Sequence, residues 1–289
     1  MLFNILSFIY LLHGNIDIDY LGTGVNQLKL NLLTNYNRDT IPIDNKTLSL
    51  NISLNINSIS VNQEESEVYY DIWINYQWED YQLKWDKQYW NVDTLTFNTN
   101  PDYETSVWIP DIILYNSVET PMSGLLYTRL NVNSDGYVIW TRSGKIKSGC
   151  DLILDSFPYD VHSCNLLFGS LNYQRSDLNI SNAQLTLNNY NQNNEWILGN
   201  TYVNTHVREG YFDDREFSII EYNINIQREP TFYETYLIFP IFFLATIVLN
   251  NENQLKPSGN LHDTGIFNKG PLRPGAPPIV GRWCADPRQ

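Results

Sequence analysis

Only three of the 289 residues are cysteine, and two of them, Cys150 and Cys164, enclose one thirteen-residue loop, DLILDSFPYDVHS. Zinc sites repeat close Cys or His pairs at a second knuckle, whereas His162 is the one further ligand type in this loop, so no metal is expected there. Basic residues are scarce as well: 18 Lys and Arg against 32 Asp and Glu leave a formal net charge of -14. A phosphate backbone needs a basic footprint, which excludes nucleic acid as a partner. The acidity suits a cationic ligand or a stream of metal ions, and it serves equally to keep a secreted protein soluble. Catalytic signatures are missing too, with neither a G-x-S-x-G nucleophile nor an H-E-x-x-H zinc motif. Neighbouring carboxylates such as Asp213 and Asp214 are commonplace in an acidic chain and do not argue a glycosidase. Neither an enzyme nor a cofactor is expected. What the chain has is apolar material: 43% hydrophobic and 17% charged residues suit one large folded domain.

The N-terminus, MLFNILSFIYLLHG, carries an apolar run from Leu2 to Leu12 that is too short to span a bilayer and of the right length for a signal-peptide core. No Lys or Arg precedes it and no small-x-small cleavage site follows, so a buried N-terminal helix is the alternative reading. Residues 1–14 are read as the signal peptide. Three N-x-[ST] sequons, at Asn45, Asn51 and Asn179, fit secretion and glycosylation. An oxidising compartment favours a bridge between Cys150 and Cys164, with Cys284 unpaired. Closing a loop of this length is worth roughly 3 kcal/mol in the chain-entropy model.

In LSLNISLNI, Leu48, Leu50, Ile52, Leu54 and Ile56 alternate with polar residues, which predicts a strand with one core face and one solvent face. The phase slips at Asn57-Ser58 before Ile59 and Val61 resume it, which predicts a bulge. Residues 68–78, 137–146 and 218–227 are similarly rich in β-branched and aromatic residues, with turn residues such as Ser134-Asp135-Gly136 between them. Many short strands and little helix predict a mainly β fold, an antiparallel sandwich or barrel. The one helical candidate ahead of it, around Gly24 to Tyr36, has a mixed period.

After Pro230 the sequence TFYETYLIFPIFFLATIVL (231–249) is nearly continuous apolar residues ending at Asn250-Asn251-Glu252-Asn253. It predicts a membrane helix cut short, because a buried strand would not hold Pro240 in its interior. Residues 22–230 form the folded domain in this reading. Residues 250–289 are Pro-, Gly- and Arg-rich without apolar periodicity, and are expected to be disordered or foreign to the fold.

A Cys-x13-Cys loop carrying Phe157-Pro158-Tyr159-Asp160 resembles the signature of the pentameric Cys-loop ligand-gated ion channels. Four further segments match that family in order: WINYQWEDYQLKWD (73–86), WIPDIILYN (108–116), FGSLNY (168–173) and REPTFY (228–233). They correspond to its W-x4-W-x-D-x2-L-x-W-[DN] strand, its W-x-P-D-x3-Y-N segment, its F-G-S-W-x-Y segment and its R-x-P-x-F-Y approach to the first transmembrane helix. The resemblance covers about residues 25 to 249. It implies an extracellular β-sandwich with a short N-terminal helix, assembled with other Cys-loop subunits as a pentamer in the plasma membrane, postsynaptic in the family's usual setting. It also implies a small cationic neurotransmitter held between subunits in a box of aromatic rings, where cation–π attraction reaches about 2 kcal/mol or more per desolvated contact.

Carried over by position, Trp73 matches the aromatic of the complementary face and Tyr115 the first-loop tyrosine of the principal face. Leu171 stands where acetylcholine-binding members carry a tryptophan. The third loop, 207–217, offers Tyr211, Phe212 and Phe217 without an adjacent cysteine pair, and Asp213, Asp214 and Glu216 beside them are candidates to meet a cation. These departures imply a nicotinic-type, non-α subunit suited to the complementary side of a hetero-oligomeric site. For transmission to the membrane, the resemblance points to Phe157, Pro158 and Asp160 in the cysteine loop, with a cis bond at Pro158, and to Arg228. The carboxylate expected to pair with Arg228 falls on Gln63, with Glu64 and Glu65 next to it. The family's pore-lining helix and the two helices after it are not among these residues, so the 289 residues alone would not conduct. A truncated channel subunit and a soluble protein resembling the acetylcholine-binding proteins both remain open, as does a secreted carbohydrate-binding sandwich.

Overall fold

A computed structural model describes residues 24–44, 46–100, 107–210 and 214–254. The segment read as a signal peptide, Asn45, the Tyr211–Asp213 tip, Cys284 and the tail from 255 onward lie outside the described residues. Helix α1 (Gly24–Leu33) leads into strands β1 (Leu48–Asn62) and β2 (Glu67–Glu79). A 3-10 turn (Tyr81–Leu83), the short helix α2 (Lys87–Trp90) and strands β3 (Thr94–Phe97) and β4 (Ile112–Leu114) follow. Then come β5 (Leu130–Asn133), β6 (Tyr137–Gly149), β7 (Val161–Ser170), β8 (Leu178–Thr186), β9 (Trp196–Glu209) and β10 (Glu216–Arg228).

The strands form two sheets, one of six in the order β3-β5-β6-β2-β1-β8 and one of four in the order β4-β7-β10-β9. All pairs are antiparallel except β1 with β8, which run parallel at the edge of the larger sheet. The alternation in β1 is realised as expected: Leu48, Leu50, Ile52, Leu54 and Ile56 are buried. The bulge is also where the phase slips. Ile56 pairs with Ile72 and Ser58 with Asp71, leaving Asn57 without a partner on β2, and its carbonyl accepts from Asn191 N–H at 2.7 Å instead. The same slip returns Ile59 to the core, which a strict two-residue period would have turned to solvent.

Strand β2 continues the pattern, with Val68, Tyr70, Ile72, Ile74, Tyr76 and Trp78 all inside. The motif that follows is structural. Trp78 packs edge-on against Trp108, Leu83 is buried, and Asp80 caps the 3-10 turn by accepting from Gln82 N–H at 3.0 Å and from the Tyr36 hydroxyl at 2.6 Å. Asp80 is fully buried, and burial pushes its carboxyl pKa up against the pull of these hydrogen bonds. Helix α1 has the weak amphipathicity that its mixed period implies: Leu28 alone is buried, while Leu30 stands 57% exposed.

The disulfide Cys150–Cys164 joins the end of β6 to β7, and so ties the six-stranded sheet to the four-stranded one. Beyond Arg228 one helix runs from Thr231 to Asn251, 21 residues long and apolar enough to cross a membrane by length and composition. At 1.5 Å per residue it spans about 32 Å, close to the thickness of a hydrocarbon core. It passes through a π-helical turn at Glu234–Ile238, just ahead of Pro240, whose ring nitrogen cannot donate to the preceding turn. The sequons at Asn51 and Asn179 lie within β1 and β8, half-buried. Asn51 Oδ1 accepts from Ser181 Oγ at 2.9 Å and Asn179 Oδ1 from Ser218 Oγ at 3.4 Å.

Candidate functional site

Two groups of side chains stand out from the fold, one aromatic and lateral, the other charged and buried at the end of the sandwich where β10 runs into the apolar helix. In the first, β2 alternation that sends Ile72 and Ile74 inward turns Trp73 outward, where it is 52% exposed. A tryptophan this open forgoes much of its burial energy and is unusual in a strand centre. Its neighbours across the sheet, Asn55 on β1 and Ser143 on β6, are small and uncharged. The next outward pair, Asn75 and Thr141, is joined by a hydrogen bond from Thr141 Oγ1 to Asn75 Oδ1 at 2.9 Å. The outward pair on its other side is Asp71 and Lys145, so Trp73 stands between an uncharged hydrogen-bonded pair and a pair of opposite charges.

Tyr115 belongs to the other sheet, directly after β4. It is half-buried, its hydroxyl donates to the Ser170 carbonyl at 2.5 Å, and the Arg208 guanidinium lies 5.8 Å from its ring centroid. The ring settles against β7 because residue 169 is glycine: a Cβ there would come within 2.8 Å of Tyr115 Cε2 and 2.5 Å of Ile219 Cδ1. Leu171, at the end of β7, is 56% exposed. Phe217 is only 7% exposed, under the Arg215 guanidinium at 5.5 Å, so its ring is occupied within the β9–β10 hairpin. Asp214 and Glu216 line an open depression of about 750 Å³ together with Arg175 and Arg215. Tyr211 and Phe212 lie outside the described residues.

The charged group centres on Arg228, whose side chain is 0% exposed. Asp160 grips it with two hydrogen bonds, Nε to Oδ1 at 2.8 Å and Nη2 to Oδ2 at 3.0 Å. Glu195 Oε1 accepts from Nη1 at 3.1 Å, and Gln63 Oε1 from Nη2 at 3.0 Å. Gln63 Nε2 in turn donates to Glu195 at 3.1 Å, as does the Tyr233 hydroxyl at 3.1 Å. Three rings enclose the guanidinium: Trp196 at 4.2 Å, Phe157 at 5.0 Å and Tyr233 at 5.5 Å. His162 Nε2 lies 2.6 Å from Asp160 Oδ2. The Phe157-Pro158 bond is cis, Pro158 is buried, and the exposed Tyr159 donates its hydroxyl to Glu234 Oε1 at 2.9 Å.

The carboxylate expected near residues 63–65 is thus supplied elsewhere. Gln63 does reach Arg228, but as a neutral acceptor, while Glu64 is exposed and its backbone N–H donates to Asn62 Oδ1 at 3.2 Å. Asp160 and Glu195 carry the negative charge. Sequence alone does not bring Glu195, Trp196, His162 or Tyr233 to Arg228; of these, only His162 and Tyr233 sit inside the matched motifs. Glu195 precedes β9 by one residue and nothing local marks it.

Burial pushes the Asp160 pKa up, but the hydrogen bonds from Arg228 and His162 and the Arg228 charge outweigh it and hold the carboxyl below its usual value. A folded pKa below the unfolded value of about 3.9 means that the stabilisation is complete above about pH 4 and is lost as pH falls through the folded value. Denaturation of the full chain in detergent between pH 6 and pH 2 is expected to show a loss below about pH 4 that the Asp160→Asn variant lacks. Parallel curves for the two proteins would mean that Asp160 is not the titrating group.

Residues 25–230 match the family model described as the neurotransmitter-gated ion-channel ligand binding domain. The chain is 27% identical over 242 residues to acetylcholine receptor subunit gamma of Gallus gallus, covering 77% of this chain and 46% of that protein. It is 29% identical over 226 residues to acetylcholine receptor subunit alpha-type acr-16 of Caenorhabditis elegans, with 75% and 44% covered. With neuronal acetylcholine receptor subunit beta-3 of Homo sapiens it shares 27% over 241 residues, with 78% and 51% covered. The chain spans about half the length of these relatives. The family match takes in both sheets, the bridged loop and Arg228, and by it the chain belongs to the neurotransmitter-gated ion-channel ligand-binding-domain family, whose members are receptors and not enzymes.

Proposed function

We propose that this chain is the extracellular part and first membrane helix of an acetylcholine-type receptor subunit that lends its complementary face to a site shared with a neighbouring subunit. The observation that carries this reading is Trp73: a half-exposed indole at the centre of a polar strand face is costly to leave in water and well suited to the face of an ammonium. Support comes from the relatives, which are acetylcholine receptor subunits of both alpha and non-alpha type. The apolar helix 231–251, long and apolar enough to cross a membrane, supports a domain held at the membrane surface, and in this reading the domain is extracellular and its neighbours in the ring are other subunits of the family.

Tyr115 would face the opposite neighbour, because it sits on the other sheet. Its contribution is modest: it is half-buried, and the Arg208 cation already lies near its ring. Leu171 adds dispersion contact and no quadrupole. A homomeric assembly therefore binds acetylcholine-like cations weakly, while a site completed by an alpha-type subunit binds them well. Motion would pass to the membrane through the Arg228 cluster, since the cysteine loop, the β1–β2 loop and the first turn of the helix all place a residue there.

Radioligand binding to complexes co-assembled with an alpha-type subunit tests the reading. Trp73→Ala is expected to weaken binding about tenfold to thirtyfold, the worth of one desolvated cation–π contact. In the homomer, Leu171→Trp is expected to return up to about 2 kcal/mol, roughly thirtyfold in affinity. Tight binding by the unmodified homomer, indifferent to Trp73→Ala, would place the ligand elsewhere.

A further inference from the structure

Among the described residues one buried cation belongs to neither group. Arg142 lies on β6 opposite Ile74, on the inward side of the sheet, and is 7% exposed. Among the described residues no carboxylate lies within ion-pair distance of it, in a chain that contains 32. Its contacts are a pair of backbone carbonyls and two rings: Nε donates to Leu126 O at 3.3 Å, Nη2 to Leu125 O at 3.0 Å, and the guanidinium carbon lies 5.1 Å from the Trp140 centroid and 5.5 Å from that of Tyr127. Burial holds its pKa below the ordinary arginine value. Arginine is almost never enclosed unless paired, because stripping water from an uncompensated charge costs several kcal/mol.

The cradle is built in advance. The segment 124–126 is laid directly on β6, with Leu126 N–H donating to Ser143 O at 2.9 Å and Leu125 bridged to Gly144. The two backbones are so close that a Cβ on Gly124 would fall 1.9 Å from Lys145 O, and one on Gly144 would fall 2.1 Å from Gly124 O. The Leu125 and Leu126 carbonyls are therefore fixed, and with them the guanidinium plane. Of the five N–H donors of an arginine, they take one from Nε and one from Nη2, the two nitrogens of one edge. The Nη1 and Nη2 end is left. Among the described residues Nη1 has no hydrogen-bond partner, and it is not among the fully enclosed unsatisfied atoms. The Nη1 and Nη2 end is the one that meets a carboxylate with two parallel hydrogen bonds.

We propose that Arg142, backed by Trp140 and Tyr127, is a binding site for a small monocarboxylate anion, separate from the outward face that carries Trp73. Trp140 and Arg142 both point inward from β6 while Trp73 points outward from β2, so the two sites lie on opposite faces of one sheet.

The test uses the full chain in detergent, titrated with sodium acetate against sodium chloride at constant ionic strength, reading tryptophan fluorescence and the thermal midpoint. Acetate is expected to give a saturable fluorescence change and a rise in midpoint that chloride does not give. Trp140→Phe should lose the fluorescence change and keep the rise in midpoint. Arg142→Gln should lose both, and Arg142→Lys, which keeps the charge without the planar fork, should need about tenfold more acetate. The proposal is overturned if the wild-type chain is indifferent to acetate, if chloride acts equally, or if Arg142→Gln responds as wild type does. Should Arg142→Gln fail to fold, an undiminished acetate response in Arg142→Lys overturns it instead.

Discussion

Replacing Arg228 with glutamine is expected to destabilise the chain by about 3–5 kcal/mol, the cost of leaving a buried charge without its partner. The substitution removes the two bonds that satisfy Asp160, which is 2% exposed and would keep only His162 beside it. It also withdraws the cation from Trp196, Phe157 and Tyr233. Lysine should rescue little, because a point charge on a flexible stem cannot engage Asp160 through two parallel bonds while also reaching Glu195 and Gln63. Denaturant midpoints of the wild-type, Arg228→Gln and Arg228→Lys chains in the same detergent check this. A loss under about 1 kcal/mol for glutamine would mean that water reaches and relieves Asp160.

The second large effect is expected from the double substitution Cys150→Ser, Cys164→Ser. In the chain-entropy model, opening a loop of this length costs about 3 kcal/mol. Here the loss has a second part, because Asp160 and Phe157 lie inside the loop and both face Arg228. Opening the loop frees the acceptor that holds the arginine. The two perturbations share a network, so their sum should not be reached: the chain carrying both cysteine substitutions and Arg228→Gln should be less destabilised than the separate losses added together, by at least about 0.5 kcal/mol. Strict additivity would show that the bridge stabilises only by restricting the unfolded chain.

Much of the architecture is legible in the residues because it rests on local periodicity. The alternation over Leu48–Ile56 fixes which side of β1 is core, and the slip at Asn57-Ser58 marks the bulge to within one residue. Alternation does not encode neighbours, and the parallel pairing of β1 with β8 depends on a segment over a hundred residues downstream. The same limit applies to the charged group. Asp160 and Arg228 sit in motifs and were named, whereas Glu195 joins them through the return of the chain ahead of β9. Gln63 reads as a vacancy for a carboxylate when the sequence is scanned in register, and becomes intelligible once Asp160 is seen to hold that charge. Arg142 carries no sequence signal, since an arginine between Thr141 and Ser143 in an alternating strand gives no sign that it points inward, away from any carboxylate among the described residues. Phe217 fails in the other direction: an aromatic near a hairpin tip looks available from sequence, and the fold buries it beneath Arg215.

The placement of the ligand at the Trp73 face can be tested without altering Trp73. Ser143 lies directly across from it on β6 and is half-buried on the same outward side, so a cysteine there reports on anything seated against the indole. The measurement is the rate at which a cationic thiol reagent modifies Ser143→Cys, in a Cys284→Ser background co-assembled with an alpha-type subunit, with and without a saturating competitive ligand. The account predicts modification in the free complex and protection, by about tenfold or more, when the ligand is bound. Equal rates in the two conditions, in a complex that demonstrably binds the ligand, would contradict it.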